Sequence, residues 1–502
     1  MNVFALLEES ARRYGEDAAV FHATHRHATY AELTRKALAL GAAIRAFAPP
    51  GNRVMVVSPN CPEYVEVMFG IWAAGMIAVP INAKLHPREM GEIVTDCGAV
   101  LAFTSATLEQ NLRDSGCVVV AIGSAAYNQM LAHEPAAPCE RLAEDIAWLF
   151  FTSGTTGRSK GAMLTHRNLV AMAIAHVADL EPLGRADSII HAAPMSHGSG
   201  LYMLPYAMRA ARHIIPASGG FEPLELLDLA HAYPAAGAFL TPTMVRRLRL
   251  AMAESGRKEH GLRSIIYGGG PMYLDEIKQA LEVFGPVLRQ LYGQGESPMT
   301  ITGLRAEDHI NASEAVLNSV GWPRSGVEVR IIDENGRPLP AGELGEVACR
   351  SDVVMAGYWN DAKATAAALH DGWLLTGDIG SVDASGCLTL RDRRKDVIIS
   401  GGSNIYPREV EEALLAHPEV AEVCVIGLRD AEWGEIVAAV IVRESGSTVA
   451  ASALDRHCLD QIARFKRPKR YIFVDALTKS SYGKVLKREI ARSLAEPPLT
   501  SY

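Results

Sequence analysis

Phe151-Thr-Ser-Gly-Thr-Thr-Gly-Arg-Ser-Lys-Gly161 is the stretch on which the reading of this chain turns. Gly154, Gly157 and Gly161 allow backbone N–H groups to face an anion, and Thr152, Ser153, Thr155, Thr156 and Ser159 add hydroxyl donors. Lys160 contributes a compact positive charge. A loop with so little side-chain bulk suits a polyphosphate, whereas a solvated turn is the plainer reading of the same residues. The apolar run 146–151 before it predicts a buried strand, and a strand feeding a glycine loop is where α/β folds place phosphates. The Walker pattern is excluded, because Lys160 is followed by Gly161 rather than by Ser or Thr.

Working outward, strand-like runs alternate with helical ones: 54–58, then a helix over 63–74, then 77–79, a helix over 87–96, and 100–104. That rhythm predicts a parallel sheet, and it resumes with strands over 188–191, 238–241, 263–268 and 287–292. From about residue 319 the texture changes to short strands broken by turns such as Asp333-Glu-Asn-Gly336 and Asp383-Ala-Ser-Gly386. The charged stretch Asp392-Arg-Arg-Lys-Asp396 marks a boundary. Beyond it lie helices over 408–416 and 454–465 and strands over 421–427, 437–442 and 470–474. The expected fold is α/β: a large N-terminal domain, 1–392, with doubly wound sheets and a β-rich subdomain, joined by a hinge at 393–395 to a small mobile α+β C-terminal domain, 396–502.

The 502 residues exceed what one hydrophobic core organises, and 49% hydrophobic with 21% charged residues is the composition of a globular enzyme. A net charge of −8 argues against a nucleic-acid surface. The eight cysteines show no Cys-x-x-Cys pair and read as reduced core thiols. The amphipathic start of the chain resembles neither a signal peptide nor a span, the C-terminus carries no peroxisomal tripeptide, and the apolar tract 65–81 is interrupted by Glu66, Gly70, Gly75 and Pro80. A cytoplasmic location without integral membrane association is expected, and a homodimer is compatible with the sequence.

The ordered set formed by the 151–160 loop, Pro194-Met-Ser-His197, Tyr292-Gly-Gln-Gly-Glu296, Gly357-Tyr-Trp359, Thr376-Gly-Asp378, Arg393-Arg-Lys-Asp396, Gly401-Gly-Ser-Asn404 and Gly483-Lys484 resembles the adenylate-forming superfamily: acyl-CoA synthetases, luciferases and adenylation domains. Each motif alone is weak; eight in this order are specific. The resemblance implies ATP, Mg2+ and coenzyme A as reactants and cofactors. Gln290 and Tyr292 then face adenine, one by its amide and one by its ring, with Gly293, Gln294 and Gly295 alongside and Glu296 as the Mg2+ ligand. Where the family usually carries Thr, this chain has Gly295, so a hydroxyl expected near the α-phosphate is absent. Gly269, Gly270 and Pro271 lie along the adenosine, and Asp378 accepts the ribose hydroxyls with Arg393 as its neighbour.

By the same resemblance Lys484 is the catalytic lysine between substrate carboxylate and α-phosphate, His197 gates or orients the acyl group, and Lys395 is the pivot. Gly401 and Gly402 border a passage for the pantetheine arm because no Cβ intrudes, and the basic residues Arg464, Lys466, Arg467, Lys469 and Arg470 either greet CoA phosphates or form a solvated face. The expected reaction joins a carboxylic acid to CoA through an acyl-adenylate, releasing AMP and pyrophosphate. A pocket wall drawn from Tyr202, Phe239, Gly270, Leu291, Gly293, Pro298 and Met299 has no cation, which predicts an apolar fatty or aryl acid and not a dicarboxylate. The rivals are a stand-alone adenylation enzyme loading a carrier protein, a luciferase-like oxidation, and a non-catalytic binding protein on the same fold.

Overall fold

The computed structural model describes residues 1–113, 115–152, 159–233, 235–479 and 485–495. Strand Ile146–Thr152 is buried along most of its length, as its unbroken apolar sequence requires of a strand covered on both faces. It lies in a six-stranded sheet beside Ile77–Pro80, Arg53–Val57, Ala99–Thr104 and Val118–Ala121, all parallel. Its other neighbour, Lys160–Thr165, is antiparallel, with Thr152 opposite Lys160. The chain thus leaves the glycine-rich stretch as an antiparallel strand beside the one that enters it, and not as a helix, so no helix N-terminus stands at Lys160.

A nine-stranded sheet carries the second half of the large unit. Its strands Arg212–Ile215, Ser188–Ile190, Ala236–Leu240, Leu262–Tyr267 and Leu288–Tyr292 are parallel, with antiparallel strands at both edges. Helix Pro62–Ala73, from the apolar tract, is buried and packs on helix Tyr30–Arg45; a Cβ on Gly70 would stand 2.8 Å from Leu40 Cβ. Glu66 within it is held by Lys36 Nζ at 2.6 Å, His27 Nε2 at 2.6 Å and Tyr127 Oη at 2.9 Å. No helix among the described residues is long and apolar enough to cross a membrane. All eight cysteines are free; Cys97, Cys349, Cys387, Cys424 and Cys458 are buried, and Cys61, Cys117 and Cys139 are partly exposed.

The β-rich part is a five-stranded antiparallel sheet that ends with Leu388–Arg393. After a single turn at Arg394–Asp396 the chain enters a second five-stranded sheet, built on Val420–Asp430 and Gly434–Arg443 and flanked by helices Pro407–Leu415, Ala451–Gln461 and Lys487–Ala495. The helix expected over 454–465 instead runs Ala451–Gln461, because Ile462 is extended (φ −133°) and packs against the small unit's core. The basic stretch after it is irregular: Lys466 pairs with Glu409 at 2.6 Å, Arg467 with Asp455 at 2.5 Å, and Lys469 lies over the Trp433 ring. Three cations of that cluster are thus engaged by the protein itself.

Candidate active site

The carboxyl ends of the neighbouring strands Leu262–Tyr267 and Leu288–Tyr292, in register at Tyr267 and Gln290, open into two glycine-containing turns, 268–271 and 293–299. In the first, a Cβ on Gly268 would meet Leu291 at 2.7 Å, Gly269 has φ +80°, and Gly269, Gly270 and Pro271 are exposed. In the second, Gly293 is forced by Met299 N, which a Cβ would approach to 2.6 Å as residues 293–299 fold back. Gln290 is buried, and its Oε1 has no hydrogen-bond partner among the described residues.

Asp378 stands opposite Arg393 across the antiparallel strands Trp373–Val382 and Leu388–Arg393, and the ion pair is 2.8 Å. Tyr292 Oη and Gln294 Nε2 both donate to its other oxygen at 2.6 Å. Tyr292 is buried, and burial together with the Asp378 carboxylate pushes its phenol far up, which keeps it a donor. The ring expected to lie open for stacking is instead mostly packed in the core, with its hydroxyl spent on Asp378. Lys395, two residues beyond Arg393, has its ammonium pKa lowered by burial; Asp396 opposes this and Arg393 and Arg488 add to it.

In the segment after strand Leu288–Tyr292, Glu296 Oε1 accepts from Tyr358 Oη at 2.7 Å and from Thr152 Oγ1, on the six-stranded sheet, at 3.4 Å. Lys160 Nζ sits 5.2 Å from the Tyr358 ring centroid and 4.0 Å from Asp361. Tyr358 and Asp361 carried no assigned role in the sequence, although Tyr358 lies inside the quoted Gly-Tyr-Trp motif; its partner Glu296 is 62 residues away. Gly295 has a local cause as well, since a Cβ there would come within 2.5 Å of Thr152 Cγ2 and 2.8 Å of Phe150 Cδ1.

His197 precedes the short helix Gly198–Leu201 and lies 5.1 Å from the Phe150 ring; burial lowers its imidazole to about 4, so it is neutral at pH 7. Gly198 lets Phe239 close in, with a Cβ position only 2.5 Å from the ring. Tyr202, Phe239, Leu291 and Met299 gather in one apolar cluster with Tyr206 and Ile266. Behind it, Glu181 is buried against Arg263 at 3.3 Å, Arg289 at 3.5 Å, His176 at 3.5 Å and Tyr206 Oη at 2.9 Å, and Arg324 pairs with Asp179 at 3.2 Å.

Gly401 and Gly402 form the turn between strands Ile398–Ser400 and Ser403–Ile405 with φ of +56° and +80°. Gly401 also has a local cause: a Cβ there would strike the Trp433 ring at 2.7 Å, and its N–H donates to Trp433 O. Ser153, Gly154, Thr155, Thr156, Gly157 and Lys484 lie outside the described residues.

An Asp378 carboxylate held by Arg393, Tyr292 and Gln294 and a Glu296 carboxylate backed by Tyr358 and Thr152 accompany the fold of the adenylate-forming enzymes. The family described as AMP-binding enzyme matches residues 7–359, and AMP-binding enzyme C-terminal domain matches 409–484; the chain belongs to this family, on its acyl-CoA synthetase side. It is 34% identical over 468 residues to a feruloyl-CoA synthase of an Amycolatopsis species, covering 92% of this chain and 93% of the relative. It is 31% identical to the fatty acid–[acyl-carrier-protein] ligase ScoC of Streptomyces coeruleorubidus, over 94% of each chain. ATP-bound MatB from Rhodopseudomonas palustris superposes with a TM-score of 0.90 at 29% identity, over 99% of both chains; the apo form of that protein superposes at 0.79.

Proposed function

We propose that this enzyme is an AMP-forming acid–thiol ligase that makes an acyl-CoA from an apolar carboxylic acid. The observation that carries the reading is the grip of Tyr292, Gln294 and Arg393 on Asp378. A carboxylate fixed by three donors at the edge of two open turns is a preorganised acceptor for paired ribose hydroxyls. Gln290, with a free amide oxygen nearby on the same strand, suits the adenine edge, and Gly269, Gly270 and Pro271 leave a flat approach to the nucleoside. Ser153 to Gly157 and Lys160 cradle the β- and γ-phosphates.

In the first half-reaction an acid oxygen attacks the α-phosphorus and pyrophosphate leaves; in the second, the CoA sulfur attacks the acyl carbon and AMP leaves. Lys484 neutralises the two anions brought together in the first step. Glu296, a carboxylate backed by two hydroxyls, offers the hard oxygen that Mg2+ takes, and the donor set fits a cation completing its shell from phosphate oxygens and water. The ion would supply charge neutralisation at the phosphates. Neutral His197, beside Phe150, orients the acyl carboxylate without adding charge. The joint at 393–395 lets residues 396–502 present first Lys484 and then the turn at Gly401 and Gly402, so that one body serves both steps.

An apolar tail fits because Tyr202, Phe239, Leu291 and Met299 cluster, and because Arg263, Arg289 and Arg324 are held by Glu181 and Asp179. A second carboxylate on the acid would need a cation drawn from those pairs. ATP, Mg2+, CoA and a panel of fatty and aryl acids are expected to yield AMP and a thioester. ADP as product, or no acid-dependent exchange of pyrophosphate into ATP, refutes the reading. Transfer to a carrier protein is the second reading, favoured by the likeness to ScoC over 94% of the chain; a holo-carrier outcompeting free CoA selects it.

A further inference from the structure

We propose that Tyr273 is a positioning residue for adenylation, acting through Glu411 and Lys487 on the segment that bears Lys484. The inference rests on the function proposed above, in which Lys484 serves the first half-reaction. Tyr273 follows the nucleoside-side turn 268–271 and caps helix Leu274–Phe284 in the large unit. Its hydroxyl donates to Glu411 Oε2 at 2.8 Å, across 138 residues of sequence and across the joint between the units. Glu411, on helix Pro407–Leu415, is only 3% exposed. Its Oε1 accepts from Val425 N at 2.8 Å and from Lys487 Nζ at 2.9 Å. Lys487 opens helix Lys487–Ala495, three residues after Lys484 in the chain. One buried carboxylate thus ties the turn beside the nucleoside to the start of the helix that follows the catalytic lysine.

The other bridges between the units differ in kind. Arg246 reaches Ala421 O at 3.0 Å, but its carboxylates Glu422 and Glu444 stand 3.8 Å away and are partly exposed. Arg408 meets Asn318 Oδ1 at 3.0 Å, and Asn318 is neutral. Among the described residues, Tyr273 carries the large unit's side-chain hydrogen bond to a buried carboxylate of the small unit, the strong class of hydrogen bond, whereas Arg408 N donates in the reverse direction, at 2.9 Å, to the half-buried Asp392 beside the joint itself. Its own burial and the nearby Glu411 push the phenol far up, so it remains a donor at any working pH. When the small unit leaves this pose, Glu411 keeps Val425 and Lys487, which travel with it, and loses Tyr273 alone. The bond is therefore made in one pose and biases the equilibrium toward it. The chain as a whole superposes better on ATP-bound MatB, at a TM-score of 0.90, than on its apo form, at 0.79.

The test measures both half-reactions of Tyr273→Phe: acid-dependent pyrophosphate exchange, and thioester formation from supplied acyl-adenylate and CoA. Exchange is expected to fall about tenfold while the second step holds or quickens, with Tm and ATP KM nearly unchanged. Lys487→Gln, which cuts the other arm of Glu411, should give the same split, and the double variant should lose less than the product of the single losses. Exchange within twofold of wild type, equal loss in both steps, or strictly multiplicative losses overturns the proposal. Wild-type exchange measured alongside separates this from the function itself: no exchange in the wild type defeats the ligase reading, whereas normal exchange there with an unaffected Tyr273→Phe defeats only the positioning role.

Discussion

At the scale of single residues, Gly295 is the most informative departure from the family. Its missing hydroxyl looks like a loss until the neighbours are placed: Thr152 Cγ2 and Phe150 Cδ1 occupy the space a side chain would need, at 2.5 and 2.8 Å from the Cβ position. Neither neighbour is the loose end of a long side chain, and Phe150 also backs His197. Gly295→Thr, which reinstates the usual residue, is therefore expected to destabilise by about 1–3 kcal/mol through overpacking and to slow pyrophosphate exchange. Thermal unfolding and exchange rates check this; a faster enzyme with an unchanged Tm would show that the space yields at no cost. The sequence announced the substitution but not its cause, because Phe150 and Gly295 meet only in three dimensions. Asp378 and Arg393 were legible for the opposite reason: both lie in motifs, and two adjacent antiparallel strands place them face to face. Tyr358 lay inside a motif too, yet its hydroxyl's partner is set by tertiary contact alone.

At the scale of elements, strand and helix positions followed from periodicity, since buried parallel strands write themselves as apolar runs. Local patterning was mute on two points. A strand before a glycine loop does not say whether a helix or a returning strand comes next, and here the return of Lys160–Thr165 makes a hairpin. Nor did it mark the end of helix Ala451–Gln461, where an apolar Ile462 turns extended to reach the core. Buried charge within elements carries a pH consequence. Burial alone would raise the Glu181 carboxyl, but His176, Arg289 and Arg263 outweigh it and bring it down to about 2. A carboxyl depressed in the folded state contributes stability that is present above its unfolded value, 4.5, and lost as pH falls through the folded value. Denaturant unfolding from pH 5 to pH 3 is expected to lose stability more steeply in the wild type than in Glu181→Gln. Parallel slopes would mean that the cluster adds nothing to acid sensitivity.

At the scale of the whole molecule, the relation between the two units was the least legible feature, because it depends on contacts such as Tyr273 with Glu411 that have no sequence signature. Those contacts fall into two electrostatic classes, and ionic strength separates them. Arg246 faces Glu422 and Glu444 at 3.8 Å with side chains a quarter to a half exposed, so salt screens it; such pairs contribute about 0–1 kcal/mol. The Tyr273 bond ends on a carboxylate that is 3% exposed and already neutralised by Lys487, so salt hardly reaches it. If the buried bond governs the docked pose, the ratio of the two half-reaction rates should stay within about twofold between 0.1 and 1 M salt in the wild type, where the Debye length shrinks from about 10 to about 3 Å. In Tyr273→Phe the screened Arg246 pairs carry a larger share of the docking, beside the Arg408 contacts to Asn318 and Asp392, and the same salt range should depress adenylation further, by several-fold. A wild-type ratio that tracks ionic strength would instead hand control of the pose to the exposed arginine, and Arg246→Ala would then reproduce the effect at low salt.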